Sequence, residues 1–392
     1  MKILFINYEC PPIGGGGGVA SFQLAVELAK QHDVNYLTMG YRDLPASENV
    51  NGVKIIRIPV LNRKTRSTAT YLSMLSFIPA AVLMGISLCK KQEYNCIHAF
   101  FVVPSGICGF CLSRLFSIPL VMTALGGDVY DPSNCYSPHT SRVMRSIITF
   151  LFNHSNLNTV ESTNLKEMIF RYYCIKKPVR VIPLGFIKPV FPQKSRTNLC
   201  IPENKIIFIS VGRLVKRKGY EYAIKALCLL TEEYPFHYYI IGDGPDEPGL
   251  KNMVATLGMK DKVTFLGYLS DETKFQYLAG SDIYLLPSIH EGFGICLLEA
   301  MYCGLPIVST NNGGQLDILK NHENALLAEA QDSDAFSMKI RELLADEGMK
   351  TAFSSNNRRD ITHYYIENIA KMYENIYREL INITASKDSH ED

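Results

Sequence analysis

The stretch Pro287–Leu319, PSIHEGFGICLLEAMYCGLPIVSTNNGGQLDIL, constrains the fold of this chain more than any other. An apolar run over 282–286 stops at Pro287 and Ser288. Glu291 follows in a loop with Gly292 and Gly294, and Ile295–Met301 reads as an apolar helix with Glu299 set into it. Cys303-Gly304-Leu305-Pro306 stops that helix. Ile307-Val308-Ser309 reads as a short buried strand, and Gly313-Gly314 opens another loop. Strand, loop, helix, strand, loop is the grammar of an open α/β sheet, which binds ligands at the carboxyl ends of its strands.

Small residues around Glu291 let backbone N–H groups approach a ligand closely, and the helix start behind them favours anionic or oxygen-rich groups. Glu299 lies about two turns further along. A carboxylate accepts two hydroxyls at once, which suits the diol of a ribose or hexose. The Gly, Pro and apolar residues around them distinguish the two glutamates from a solvated helix face.

Two further stretches repeat the grammar. Lys2–Asn7 (KILFIN) reads as a buried strand broken by Pro11-Pro12; a loop of five glycines, Gly14–Gly18, then precedes an amphipathic helix over Val19–Lys30. Strand, glycine loop and helix make a phosphate cradle, but no acidic residue ends a following strand as a dinucleotide site requires. Ile206–Val211 (IIFISV) delivers Gly212-Arg213-Leu214-Val215-Lys216-Arg217-Lys218-Gly219 ahead of a helix over Tyr220–Leu230. Arg213 and Lys218 flank that loop, and two converging cations neutralise a diphosphate without a metal.

EGFGICLLE followed by A-x-x-C-G-L-P-I-V resembles the E-x7-E signature of the retaining, nucleotide-sugar-dependent glycosyltransferases of family 4, and G-R-L-x3-K-G resembles their phosphate motif. The resemblance implies the GT-B fold: α/β, with two doubly wound Rossmann-like domains facing across a cleft. It places an acceptor-side domain at 1–190, a nucleotide-sugar domain at 191–364, and a helix at about 365–385 that crosses back to the first domain, before a polar tail at 386–392.

It also implies transfer of a hexosyl unit, with retention and without a metal or cofactor, from a UDP- or GDP-sugar to a glycan or lipid-linked acceptor in cell-envelope polysaccharide synthesis. By the same resemblance, Arg213 and Lys218 stabilise the leaving diphosphate, Glu291 holds the transferred sugar and Glu299 the ribose. Phe293, Gly294 and Ile295 border the donor, with Gly212, the Gly244 loop (Gly242-Asp243-Gly244-Pro245) and Leu269 around the nucleotide. Gly15, Gly16, Gly17 and Gly18 lie near donor phosphates and acceptor. Asp128 has two readings, a substrate contact or a turn residue.

The chain departs from the family at four places. Leu125 stands where a histidine commonly precedes glycine. Phe186-Ile187-Lys188 follows Gly185 in place of an acidic residue. Leu316-Asp317 replaces Pro-Glu, and Asn324-Ala325 replaces Asn-Gly. Two rival readings follow: a sugar-nucleotide-binding relative without turnover, or a GT-B phosphorylase or epimerase-type enzyme.

Length and composition fit this picture. The chain has 392 residues, which points to two domains, and 47% hydrophobic residues supply two cores. The 11 cysteines fall without zinc spacing, Cys108 and Cys111 reading as helix residues; with no secretory signal, the expectation is a reducing cytoplasm. Residues 1–190 carry 19 Lys+Arg against 10 Asp+Glu, the rest 21 against 28, so the halves are +9 and −7. A basic first half suits an anionic acceptor or peripheral contact with the inner face of a membrane; nothing suits nucleic acid. Ser67–Cys89 has no charged residue over 23 positions, between Arg63, Lys64, Arg66 and Lys90, Lys91. It reads as a helix or helix pair on the sheet, with a membrane-touching surface as the second reading. Pro189, Pro192 and the polar residues up to Asn198 read as a linker.

Overall fold

A computed structural model describes residues 1–66, 68–190, 196–199 and 201–388, with backbone alone at 197, 198 and 384–388. Most of the expected linker after Val190, and the tail beyond Asp388, lie outside the described residues. The chain divides into two compact units: Met1–Ile187 with the chain from Tyr365 onward, and Lys188–Tyr364.

In the first unit, strands and helices alternate: β1 (Lys2–Ile6), α1 (Gly16–Ala29), β2 (Asp33–Met39), β3 (Ser47–Val50), β4 (Val53–Ile58), α2 (Tyr71–Lys91), β5 (Cys96–Phe100), α3 (Ile107–Phe116), β6 (Leu120–Ala124), α4 (Arg142–His154), β7 (Leu157–Val160), α5 (Thr163–Tyr172) and β8 (Val179–Val181). The sheet order is β3-β4-β2-β1-β5-β6-β7-β8, parallel except for β3, which pairs antiparallel with β4. The chain reverses direction across the sheet between β1 and β5, which pair from Ile3↔Cys96 to Ile6↔Ala99. Strands buried on both faces read as unbroken apolar runs, as in KILFI and LVMTA.

The second unit runs β9 (Ile206–Val211), α6 (Tyr220–Cys228), β10 (Phe236–Ile241), α7 (Glu247–Thr256), β11 (Val263–Gly267), α8 (Asp271–Ala279), β12 (Ile283–Leu286), α9 (Ile295–Cys303), β13 (Ile307–Thr310), β14 (Ala325–Ala328), α10 (Ser333–Ala345) and α11 (Glu347–Asp360). Its six strands are all parallel in the order β11-β10-β9-β12-β13-β14. The reversal here falls between β9 and β12, so the loops leaving those two strands flank the crevice where an open sheet takes its ligand.

The last helix, α12 (Ile366–Asp388), belongs to the first unit, where it packs on α1. A buried polar chain fastens it: His98 on β5 contacts the Tyr377 hydroxyl at 2.6 Å and the Thr123 hydroxyl at 2.7 Å. Burial holds His98 well below its ordinary pKa, so the ring is neutral and each nitrogen serves one hydroxyl.

Two element expectations are corrected, at the start of α1 and at 361–364. α1 begins at Gly16 instead of Val19, so three of the five glycines form its first turn. The charge-free stretch, expected as a helix or a helix pair, is one helix from Tyr71 onward, which carries Pro79 and is capped by Thr70 and Ser73, each accepting from the other's backbone N–H. The amphipathic spacing over 359–382 reads as one helix, but it is broken at 361–364, where the chain leaves the second unit and the Ile366 N–H joins the Phe186 carbonyl at 2.9 Å.

Candidate functional site

At the switch point of the second unit, the loop after β9 and the loop after β12 are stitched together. Ile289 N–H donates to the Arg217 carbonyl at 2.8 Å. A Cβ on Gly219, whose φ is +61°, would stand 2.2 Å from the Pro287 carbonyl oxygen, so glycine is required there. The stitching brings Lys218 against Glu291, with which it forms a buried ion pair. Arg217 Nη1 lies 3.7 Å from the other carboxylate oxygen, and the Ser288 hydroxyl donates to Glu291 at 3.3 Å. Burial pushes the Glu291 carboxyl up, but the Lys218 and Arg217 cations outweigh it and hold the group below the usual carboxylate range.

Arg213 sits in the same loop, exposed, and among the described residues it has no ion-pair partner. The expected Arg213–Lys218 pair is thus half engaged: Lys218 faces an internal carboxylate, while Arg213 projects outward. Arg217, in the middle of the basic run, is the cation that sequence reasoning passed over.

Glu299 is on the second turn of α9. Its Oε1 lies 2.7 Å from Lys274 Nζ on α8, and both side chains are largely buried. Burial pushes the Glu299 carboxyl above its ordinary pKa against the pull of Lys274. Burial depresses the lysine, yet Glu299 and Asp271 together raise it above its ordinary value. The lysine's direction is that of an ion pair, whereas for Glu299 burial outweighs the pairing. No spacing in the sequence announces Lys274, which reaches Glu299 only through the packing of α8 on α9.

The remaining donor-side residues divide by what they touch. Gly294 has φ +99° and caps α9, with Ile295 as its first helical residue, and the Leu297 N–H of this first turn donates to the Gly294 carbonyl at 2.9 Å. Phe293 is buried, its ring 6.1 Å from that of Tyr364. Gly244 serves packing: a Cβ there would stand 2.3 Å from the Leu214 carbonyl oxygen, and Gly242 is equally tight against Gly212 at 2.1 Å. The Lys218 Nζ would lie 3.7 Å from a Cβ on Gly212. Leu269 is part-buried, and Tyr268, which follows the edge strand β11, is 81% exposed. A cavity of about 900 Å³ lined by Lys205, Ile206 and Asp282 opens at the opposite, amino end of this sheet, away from these groups.

In the first unit the glycine run encloses a carboxylate. Glu9, buried and also missed in the sequence, accepts the Gly15 N–H at 2.9 Å. A Cβ on Gly14 or Gly18 would stand 2.5 or 2.9 Å from the Glu9 Cβ. Gly17 is pressed between Phe101 and Leu125, at 2.6 and 3.0 Å from its built Cβ, while Gly15 has open space and Gly16 starts α1. The start of α1 thus already holds a negative group.

Asp128 closes the neighbouring loops. Its two oxygens accept the Val102 N–H at 2.7 Å and the Leu125 N–H at 2.9 Å. Burial pushes this carboxyl up to about 7 despite those donors. Leu125, 9% exposed, presents an apolar side chain where the family commonly has histidine.

Comparison with known proteins agrees with this geometry. A model described as Glycosyltransferase Family 4 matches residues 14–186, and one described as Glycosyl transferases group 1 matches residues 192–360. An uncharacterized glycosyltransferase of Methanocaldococcus jannaschii is 26% identical over 389 residues, covering 96% of this chain and 98% of that one. Sucrose-phosphate synthase from Thermosynechococcus elongatus superposes with a TM-score of 0.85 at 22% identity, over 97% of this chain and 99% of that one. HepE of Anabaena, solved with UDP and glucose, does so at 0.76 and 19%, over 97% and 100%. These likenesses show the GT-B fold. With both halves matched by models of one family, the chain belongs to the family 4 glycosyltransferases, enzymes that act on nucleotide sugars.

Proposed function

We propose that this protein transfers a hexosyl unit, with retention of anomeric configuration, from a nucleoside-diphosphate sugar to a glycan or lipid-linked acceptor. The observation that carries this reading is the cluster of Arg217, Lys218 and Glu291 at the β9/β12 switch point, with Arg213 exposed on the same loop. Three cations against one carboxylate give these two loops a net positive charge, which suits a diphosphate.

Arg213 and Lys218 stabilise the departing diphosphate by charge, so the reading requires no metal. Lys218 is shared: phosphate draws it from Glu291, and the carboxylate becomes available to hydroxyls of the transferred sugar. Glu299 accepts the ribose diol. The acceptor hydroxyl attacks the anomeric carbon from the face the diphosphate leaves; the carbon–oxygen bond to phosphate breaks, and the leaving phosphate oxygen takes the proton. HepE was solved with UDP and glucose, which supports UDP as the first nucleotide to test and GDP as the second. Cell-envelope glycan assembly at the cytoplasmic face is the setting that best suits a basic first half and a lipid-linked acceptor.

In Arg213→Ala and Lys218→Ala, kcat/KM for donor is expected to fall by about 100- to 1000-fold. Initial-rate measurements that found near-normal activity in both would contradict the assignment.

A further inference from the structure

α2 is attached to its unit by one narrow stripe. Ser73, Phe77, Ala81 and Gly85, spaced by four, are its buried residues, and a Cβ on Gly85 would stand 2.3 Å from Leu112 of α3. The other face is apolar and uncovered: Tyr71 is 75% exposed, Leu72 48%, Leu75 65% and Leu83 69%. The helix is long and apolar enough to cross a membrane, yet only 22% of its apolar window is buried. A core helix of this composition would be covered on most sides.

The uncovered surface continues onto the neighbours. α2 packs on α3, where Leu115 is 61% exposed, and Phe110 of α3 meets Phe150 of α4 edge-on at 5.2 Å. On α4, Val143 is 68% exposed and Phe150 46%.

Charge selects what covers this face. α2, α3 and α4 together contain no Asp or Glu, and residues 49–92 contain none either. Lys90 and Lys91 end α2, Arg114 lies in the last turn of α3, and Arg142 and Arg145 lie on α4. Lys64 and Arg66, both exposed, precede α2. Apolar side chains bordered mainly by cations, with Glu93 the acidic residue that follows Lys91, complement an anionic lipid surface, where the aliphatic groups enter the acyl boundary and the cations meet headgroups. A second copy of the same face would set these cations against each other.

We propose that the α2–α3–α4 face of the first unit docks on the surface of an anionic phospholipid bilayer. α2 lies along the surface and does not span it, because its buried stripe stays seated on α3. This proposal is independent of the transfer reaction.

The test is co-sedimentation of the full chain with vesicles of phosphatidylcholine alone and of phosphatidylcholine and phosphatidylglycerol in equal parts. Wild type is expected to bind the mixed vesicles, bind neutral ones weakly, and release partly at high salt. The triple variant Leu72→Asp/Leu75→Asp/Leu83→Asp is expected to lose about tenfold or more of that partition with its thermal melting unchanged. Lys90→Ser/Lys91→Ser, which spares the apolar face, is expected to lose the preference for anionic vesicles and provides the test if the triple variant misfolds. Three results would overturn the proposal: no wild-type binding to mixed vesicles, equal binding to both kinds, or lipid-free dimerisation of wild type that the triple variant abolishes.

Discussion

Glu291 and Glu299 sit on one short stretch of chain, yet burial acts on them with opposite net results. Lys218 and Arg217 hold the first below the usual carboxylate range, while the single Lys274 leaves the second above it. If Glu299 receives the ribose, its ionised form is the useful one, and Lys274 sustains it. In Lys274→Met the carboxyl remains buried without its closest cation, so it takes up a proton at higher pH. UDP affinity is then expected to fall about tenfold at about pH 6 and to recover toward about pH 8, whereas Lys274→Arg stays near wild type. Calorimetric titration at both pH values checks this; a pH-independent loss would assign Lys274 a purely structural role.

At the scale of elements, the loops after the strands are tied to one another by backbone contacts and by one acidic residue in each unit, Glu291 and Asp128. Asp128 holds the loops after β5 and β6 through two N–H groups. Its folded-state pKa of about 7 is above the ordinary carboxyl value, so the stability it contributes is complete below the unfolded pKa and is lost as pH rises through about 7. Asp128→Asn removes that dependence and turns an amide donor toward a backbone donor. The variant is therefore expected to melt below wild type, with a Tm difference that narrows as pH rises from about 5 to about 8. A difference that widens with pH, by calorimetry or circular dichroism, would contradict this. Many elements were legible beforehand: β9 over Ile206–Val211 and the start of α9 at Ile295 match the sequence, because their apolar runs and flanking stops are local. The start of α1 was not, since glycines read as loop, whereas Gly16–Gly18 form its first turn behind Gly15, whose N–H the Glu9 carboxylate accepts. α11 was also missed, being polar over much of its surface and held by Phe353 and Asn357 alone among its fully buried side chains.

For the whole molecule, both strand-order reversals follow from the alternation of strand and helix, and the E-x7-E and G-R-L-x3-K-G motifs fall at the reversal in the second unit. The motifs therefore located the site, but the sequence did not reveal how its charges are shared. Arg217 is hidden in a basic run, and Lys274 comes from a separate helix. The central claim is that the β9/β12 switch point holds a nucleoside diphosphate by charge, with Arg213 as its outward cation. The most direct measurement is calorimetric binding of UDP, GDP and ADP to wild type and Arg213→Ala, each with Mg2+ and with chelator. The account predicts that one nucleotide binds wild type equally well in both conditions, and that Arg213→Ala weakens it by about tenfold or more. Failure of all three to bind, or binding that requires Mg2+ and ignores Arg213, would contradict it.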